Sequence, residues 1–291
     1  SGFVFRKPAL DEKLRAVATV LLVAGTAAYA HYPHDVAHWA AVSPDPGQLR
    51  IATSLERIDL DVLGRTDNGR DWQARLVGTA NEGTVHSAAF LTSDRLVLAV
   101  GRSGLLVSED AGDSLASEAD VLDAYVSRVV ASPAVLSDGT AFAAGETAIW
   151  RTTDGGLTWG SVWEAAAGAF GDIDVSPNFA ADGRVCAAEP DTISCSSDGG
   201  DTWVRSALPQ PSYRISVGAS HRLWATASGE GLFASLDDGA TWHLAGFQGE
   251  DVALVSEFTN DLVLLTQARQ AQWRSTDGGR TWIREQVLTG A

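Results

Sequence analysis

The chain has 291 residues, 45% hydrophobic and 20% charged, so a large core is available and wholesale disorder is excluded. Lys and Arg total 21 against 37 Asp and Glu, and the resulting formal charge of −16 leaves no basic footprint for nucleic acid. Two cysteines are too few for a disulfide scaffold or a Cys-rich zinc module, whereas 29 glycines and 10 tryptophans point to turn-rich β-structure.

The first predicted element is a membrane helix. Residues 16–30, AVATVLLVAGTAAYA, are uncharged; Arg6, Lys7, Lys13 and Arg15 precede them, and Asp35 and Asp45 follow. A cleaved signal peptide fits the short apolar run and the Ala28-Tyr29-Ala30 pattern. A retained anchor fits a helix from Arg15 to His34, roughly 28 Å long at ~1.5 Å per residue, with Tyr29, Tyr32 and Trp39 at the far interface. The anchor is the reading carried forward: 1–13 cytoplasmic, 14–34 transmembrane, 35–47 a linker, and 48–291 outside the cytoplasm, periplasmic by the positive-inside rule. His31, His34 and His38 follow, and a continued helix would set His34 and His38 on one face, as ligands of a metal or pigment are. Contact with head groups or a partner is their plainer role, and no cofactor or metal is expected.

Beyond the linker an octet recurs: RTDNGRDW (65–72), SEDAGDSL (108–115), TTDGGLTW (152–159), SSDGGDTW (196–203), SLDDGATW (235–242) and STDGGRTW (275–282). Its aspartates, Asp67, Asp110, Asp154, Asp198, Asp237 and Asp277, are separated by 43, 44, 44, 39 and 40 residues. That period suits four short strands and their turns. The Asp can accept hydrogen bonds from its own tight turn, and Gly supplies positive φ. Trp72, Trp159, Trp203, Trp242 and Trp282 leave the turn as apolar wedges between sheets, with Leu115 in the second octet.

A strand–turn–strand pattern precedes each of the last five octets, as in VVASPAVLSDGTAFAAG from Val129 and DVSPNFAADGRVCAAE from Asp174. Six octets, with 21 residues between Asp45 and Asp67 of the first and nine after Trp282, predict six four-stranded units, one with its strands shared between the chain ends. Cys186 and Cys195 flank the turn at Pro190-Asp191, where antiparallel pairing sets them opposite one another; an exported location favours a disulfide, with two free thiols the alternative.

The octets resemble the Asp-box, S/T-x-D-x-G-x-T-W, also called the BNR repeat, over residues 48–291. The resemblance implies an all-β fold, a β-propeller, which the octet count makes six-bladed and the apolar segment precedes with one N-terminal transmembrane helix. Sialidases share the repeat, which raises an exported glycan-binding or sialidase-like glycosidase as an alternative. The Phe5-Arg6-Lys7-Pro8 string looks like that family's F/Y-R-I-P motif but precedes the apolar segment; Tyr125 and Tyr213, the tyrosines away from it, have no nucleophile context, and no acid pair stands out. Exported, membrane-tethered Asp-box propellers are similar to the photosystem II assembly and stability factor family, although no arginine-rich patch like theirs is evident. That similarity implies a non-catalytic scaffold subunit docked on subunits of an integral membrane complex, such as a photosynthetic reaction centre or another electron-transfer complex.

Overall fold

The computed structural model describes residues 40–45, 50–57, 60–66, 73–76, 85–115, 122, 124–164, 171–212, 214–218, 221–227, 229–249, 252–258, 261–266 and 271–287. The segment assigned to the anchor, 14–34, lies outside them, as do Phe5, Pro8, His31, His34, His38, Asp67, Trp72 and Tyr213. Among the described residues no helix is long and apolar enough to cross a membrane.

The described strands form six antiparallel sheets, each built from one contiguous stretch of chain. The first contains β1 (Ala40–Val42), β2 (Ile51–Arg57), β3 (Leu60–Thr66) and β4 (Gln73–Leu76). The second contains β5 (Ser87–Phe90), β6 (Leu96–Ala99) and β7 (Leu105–Ser108). The third contains β8 (Val126–Ala131), β9 (Ala141–Gly145), β10 (Ala148–Thr152) and β11 (Gly160–Glu164). The fourth contains β12 (Asp172–Val175), β13 (Val185–Ala188), β14 (Thr192–Ser196) and β15 (Val204–Ala207). The fifth contains β16 (Arg214–Val217), β17 (Leu223–Ala227), β18 (Gly231–Ser235) and β19 (His243–Gly246). The sixth contains β20 (Val252–Phe258), β21 (Asp261–Thr266), β22 (Ala271–Ser275) and β23 (Ile283–Val287).

Two features differ from the sequence expectation. Ala40–Val42, placed in the linker, is a strand whose residues pair with Thr53, Ala52 and Ile51. No described sheet is shared between the chain ends, because the N-terminal stretch supplies two strands ahead of β3 and the C-terminal stretch completes a sheet of its own. Three alanine and valine residues are too short a run to read as a strand by alternation.

Successive sheets meet through their first strands: β1 packs on β5, β5 on β8, β8 on β12, β12 on β16 and β16 on β20. Apolar side chains fill each junction. Phe142 and Ile149 of the third sheet meet Ile173 and Val185 of the fourth, and Cys186 and Ile193 of the fourth meet Ile215 and Leu223 of the fifth. The hairpin side chains alternate between the two faces, so the small residues of β9 and β13 serve two junctions at once.

Short helical turns, α1 (Val135–Asp138) and α2 (Phe179–Asp182), link the first two strands of the third and fourth sheets. Gly139 ends α1 at φ 63°, and a Cβ there would lie 2.6 Å from Thr153 O. Gly155 N donates to Gly139 O at 3.0 Å and Gly199 N to Gly183 O at 2.9 Å, so each such turn is tied to the octet turn of its own sheet. The first and third strands of a sheet are parallel to one another, and both therefore end on the octet side. The first residues of β8, β12 and β16 lie at the opposite end.

Candidate functional site

Each described octet closes on itself. Asp154 Oδ1 accepts from Thr152 Oγ1 at 2.7 Å and from the N–H groups of Leu157 and Thr158 at 3.0 Å each; Oδ2 accepts from Thr158 Oγ1 at 2.6 Å. Asp110, Asp198, Asp237 and Asp277 repeat the pattern, with Ser114, Thr202, Thr241 and Thr281 giving both backbone and hydroxyl bonds. Trp159, Trp203, Trp242 and Trp282 each pack where their own sheet meets the preceding one, and Leu115 takes that position between the first two sheets. These residues are spent on the fold. Cys186 and Cys195 form a disulfide between facing residues of β13 and β14.

Arginines tie each sheet to the next. Arg50 donates to Ser93 O at 2.8 Å, Arg95 to Gly155 O at 2.9 Å, and Arg151 to Gly199 O at 2.6 Å. The buried Arg184 donates to Gly218 O at 3.2 Å and pairs with Asp238. Arg50, Arg95 and Arg184 all stand immediately before the second strand of a sheet. Arg222 occupies the same position and lies against Gly278 of the sixth sheet. The strings LRIAT, DRLVL, GRVCA and HRLWA carried this signal, and the sequence reading passed over it.

A different set lines the first strands. Ser87, Arg128, Asp172 and Arg214 occupy one register level in four successive sheets, opposite Ala99, Ala144, Ala188 and Thr226. A first strand leaves one edge outside its own ladder, and its N–H groups need acceptors. Ser87 supplies one, accepting from Val129 N at 3.2 Å; Asp172 Oδ2 accepts from Ile215 N at 3.1 Å and Asp174 Oδ2 from Val217 N at 2.9 Å. Asp172 is 1% exposed, with Arg128 Nε 2.9 Å and Arg214 Nη1 3.9 Å from its Oδ1. Arg214 remains 41% exposed. Two guanidiniums thus flank one buried carboxylate at the end away from the octet turns. His86 and Tyr125, just ahead of β5 and β8, stand at the same end with ring centroids 6.0 Å apart, so Tyr125 has a histidine beside it. Among the described residues no group of three or more His, Cys, Asp or Glu could hold a metal.

The carboxylates titrate in opposite senses. The Thr202, Thr281 and Ser114 hydroxyls hold Asp198, Asp277 and Asp110 at about 2, and Thr241 lowers Asp237. Around Asp154 burial pushes upward, but the Thr158 bonds outweigh it and leave the carboxyl at about 2. Burial pushes Asp174 up to about 6, although the Val217 N–H bond opposes the rise. Stability from the octet aspartates is therefore present above their unfolded value of 3.8 and lost as pH falls through about 2. Stability linked to Asp174 is full below 3.8 and lost as pH rises through about 6. Calorimetric melting should peak near about pH 4–5, and Asp174→Asn should flatten the decline toward neutral pH. A melting temperature that climbs steadily from about pH 4 to 7 in both proteins would contradict the assignment.

Six sheets meeting through their first strands, with self-bonded octet turns at one end, define the class: an Asp-box β-propeller. The comparisons agree. The chain is similar in structure to YCF48 bound to a D1 peptide, with 21% identity, TM-score 0.64, and 87% of this chain and 82% of that one covered. It is similar to YCF48 from Cyanidioschyzon merolae, with 19% identity, TM-score 0.62, and 89% and 87% covered. A GH74 xyloglucanase from Xanthomonas campestris matches at 16% identity and TM-score 0.62, over 84% of this chain and 45% of that one. No family model and no curated protein matches the chain. At these identities the likeness is one of fold.

Proposed function

We propose that this chain is a non-catalytic scaffold, a six-bladed propeller held outside the cytoplasm by a helix at 14–34, which binds a polypeptide segment of an integral membrane complex at the channel mouth. The observation that carries the reading is the pair Arg128 and Arg214. The arginines ahead of the second strands are engaged between sheets, whereas these two flank Asp172 with Arg214 partly open to solvent. Asp172 and Asp174 each hold a backbone N–H of β16, a structural role that leaves them poorly placed for acid–base work. The YCF48 structure with a D1 peptide supports a peptide as the bound species, and a photosynthetic complex as the host. The net charge of −16 disfavours docking on anionic lipid, so protein contacts carry the attraction.

Mild detergent extraction followed by native electrophoresis tests this. The wild-type chain should migrate with a large membrane complex, and a folded Arg128→Gln/Arg214→Gln variant should fall off it. Monomeric migration of the wild type, with retention on a xyloglucan or sialoglycan column, would instead support the glycan-directed alternative.

A further inference from the structure

Four charged side chains lie along β8, β12 and β16 toward the ends that face away from the octet turns. Arg128, Asp172 and Arg214 share one level, and Asp174 lies two residues further along β12, on the same face. With both acids ionised the four sum to zero; with one protonated they sum to +1. Asp172 is held in place on two sides: its buried carboxylate has Arg128 at 2.9 Å and accepts from Ile215 N–H. Asp174 is the variable one: it holds Val217 N–H and makes no ion pair among the described residues.

We propose that the proton on Asp174 sets the affinity of this mouth for an anionic group, the site being neutral when Asp174 is ionised and singly positive when it is protonated. This rests on reading the mouth as the partner site and adds the control over it. The charged groups acting on Asp174 are Asp172 on β12 itself and Arg128 on β8, while Arg214 on β16 stands at the level of Asp172, 3.9 Å from its carboxylate. β9 and β13, which also pack on β12, bring no titrating side chain, since Cys186 is in the disulfide. Burial, which pushes Asp174 up to about 6, places the change between mildly acidic and neutral pH, and the like charge of Asp172 adds to the rise. One charge a few ångströms from a half-exposed anion changes affinity about tenfold after screening. By linkage the bound anion must in turn favour protonated Asp174.

Sulfate is a suitable probe because its own charge is constant over the range. It would be titrated calorimetrically into the full chain in mild detergent at about pH 5 and about pH 7.5, at fixed ionic strength. Wild-type affinity should be about tenfold higher at the lower pH, Asp174→Asn should bind at the higher affinity at both, and Arg214→Gln should weaken both. Saturating sulfate should also raise the midpoint of the Asp174 carboxyl carbon titration measured by NMR. Equal wild-type affinities at the two pH values, with Arg214→Gln still weaker, would overturn proton control and leave the mouth as the binding site. A pH dependence that persists in Asp174→Asn would overturn it equally. Unchanged binding in Arg214→Gln would overturn the mouth reading as well.

Discussion

Truncating Trp203 to alanine is expected to cost about 3 kcal/mol, the lower end of the range for large aromatic side chains, because the indole is partly buried. The indole lies where the third and fourth sheets meet, in the cluster containing Phe142, Ile173 and Phe179, with its ring centroid 6.0 Å from that of Trp163. Its Nε1 donates to Gly200 O at 3.0 Å, which fixes the ring relative to the octet turn that positions it. The backbone around it is pinned by Asp198 and Ser196, so the site cannot collapse to fill the void. Denaturant titration of Trp203→Ala gives the figure directly; a loss below about 1 kcal/mol would mean that the indole is not a wedge between sheets. Asp198→Ala should cost less, because its hydrogen bonds lie within one exposed turn and water can replace them.

The contrast between these two residues explains how much of the fold was readable from the sequence. An octet turn is completed within seven residues of chain, so residue types at fixed spacing describe it fully, and the periodicity of Asp154, Asp198, Asp237 and Asp277 is visible by eye. The charged level on the first strands is made differently. Its bonds join residues 43 apart, and the aligned positions hold Ser87, Arg128, Asp172 and Arg214, with no type common to all four. A repeat search sees identity, whereas this level alternates donor and acceptor so that neighbouring sheets complement each other. The arginines ahead of the second strands were a milder case. Arg50, Arg95, Arg184 and Arg222 do repeat, but an arginine beside a turn is so ordinary on a surface that only its reach into the next sheet distinguishes it. Strand β1 escaped for want of length: three residues carry too little pattern, and its partner Ile51–Arg57 defines it.

Asp172→Ala is the second change expected to be costly, at about 3–5 kcal/mol, the cost of removing one partner from a buried ion pair. Three losses coincide. Ile215 N–H would lose the acceptor that now sits 3.1 Å away, on the strand edge where no ladder partner replaces it. Arg128, 22% exposed, would lose the counter-charge beside its Nε. Arg128 and Arg214 would face each other with no anion between them, and like charges there repel. Asp172→Asn keeps an acceptor for Ile215 but removes the charge, so it should fall between wild type and alanine. Asp174→Asn should go the other way at neutral pH, because burial already disfavours the ionised form of that side chain. Two aspartates on the same face of one strand are thus expected to give stability changes of opposite sign, and guanidinium unfolding of the three variants at about pH 7.5 measures both signs at once. If Asp172→Ala lies within about 1 kcal/mol of wild type, the carboxylate is not what holds β12 to β16 and the two arginines do not depend on it.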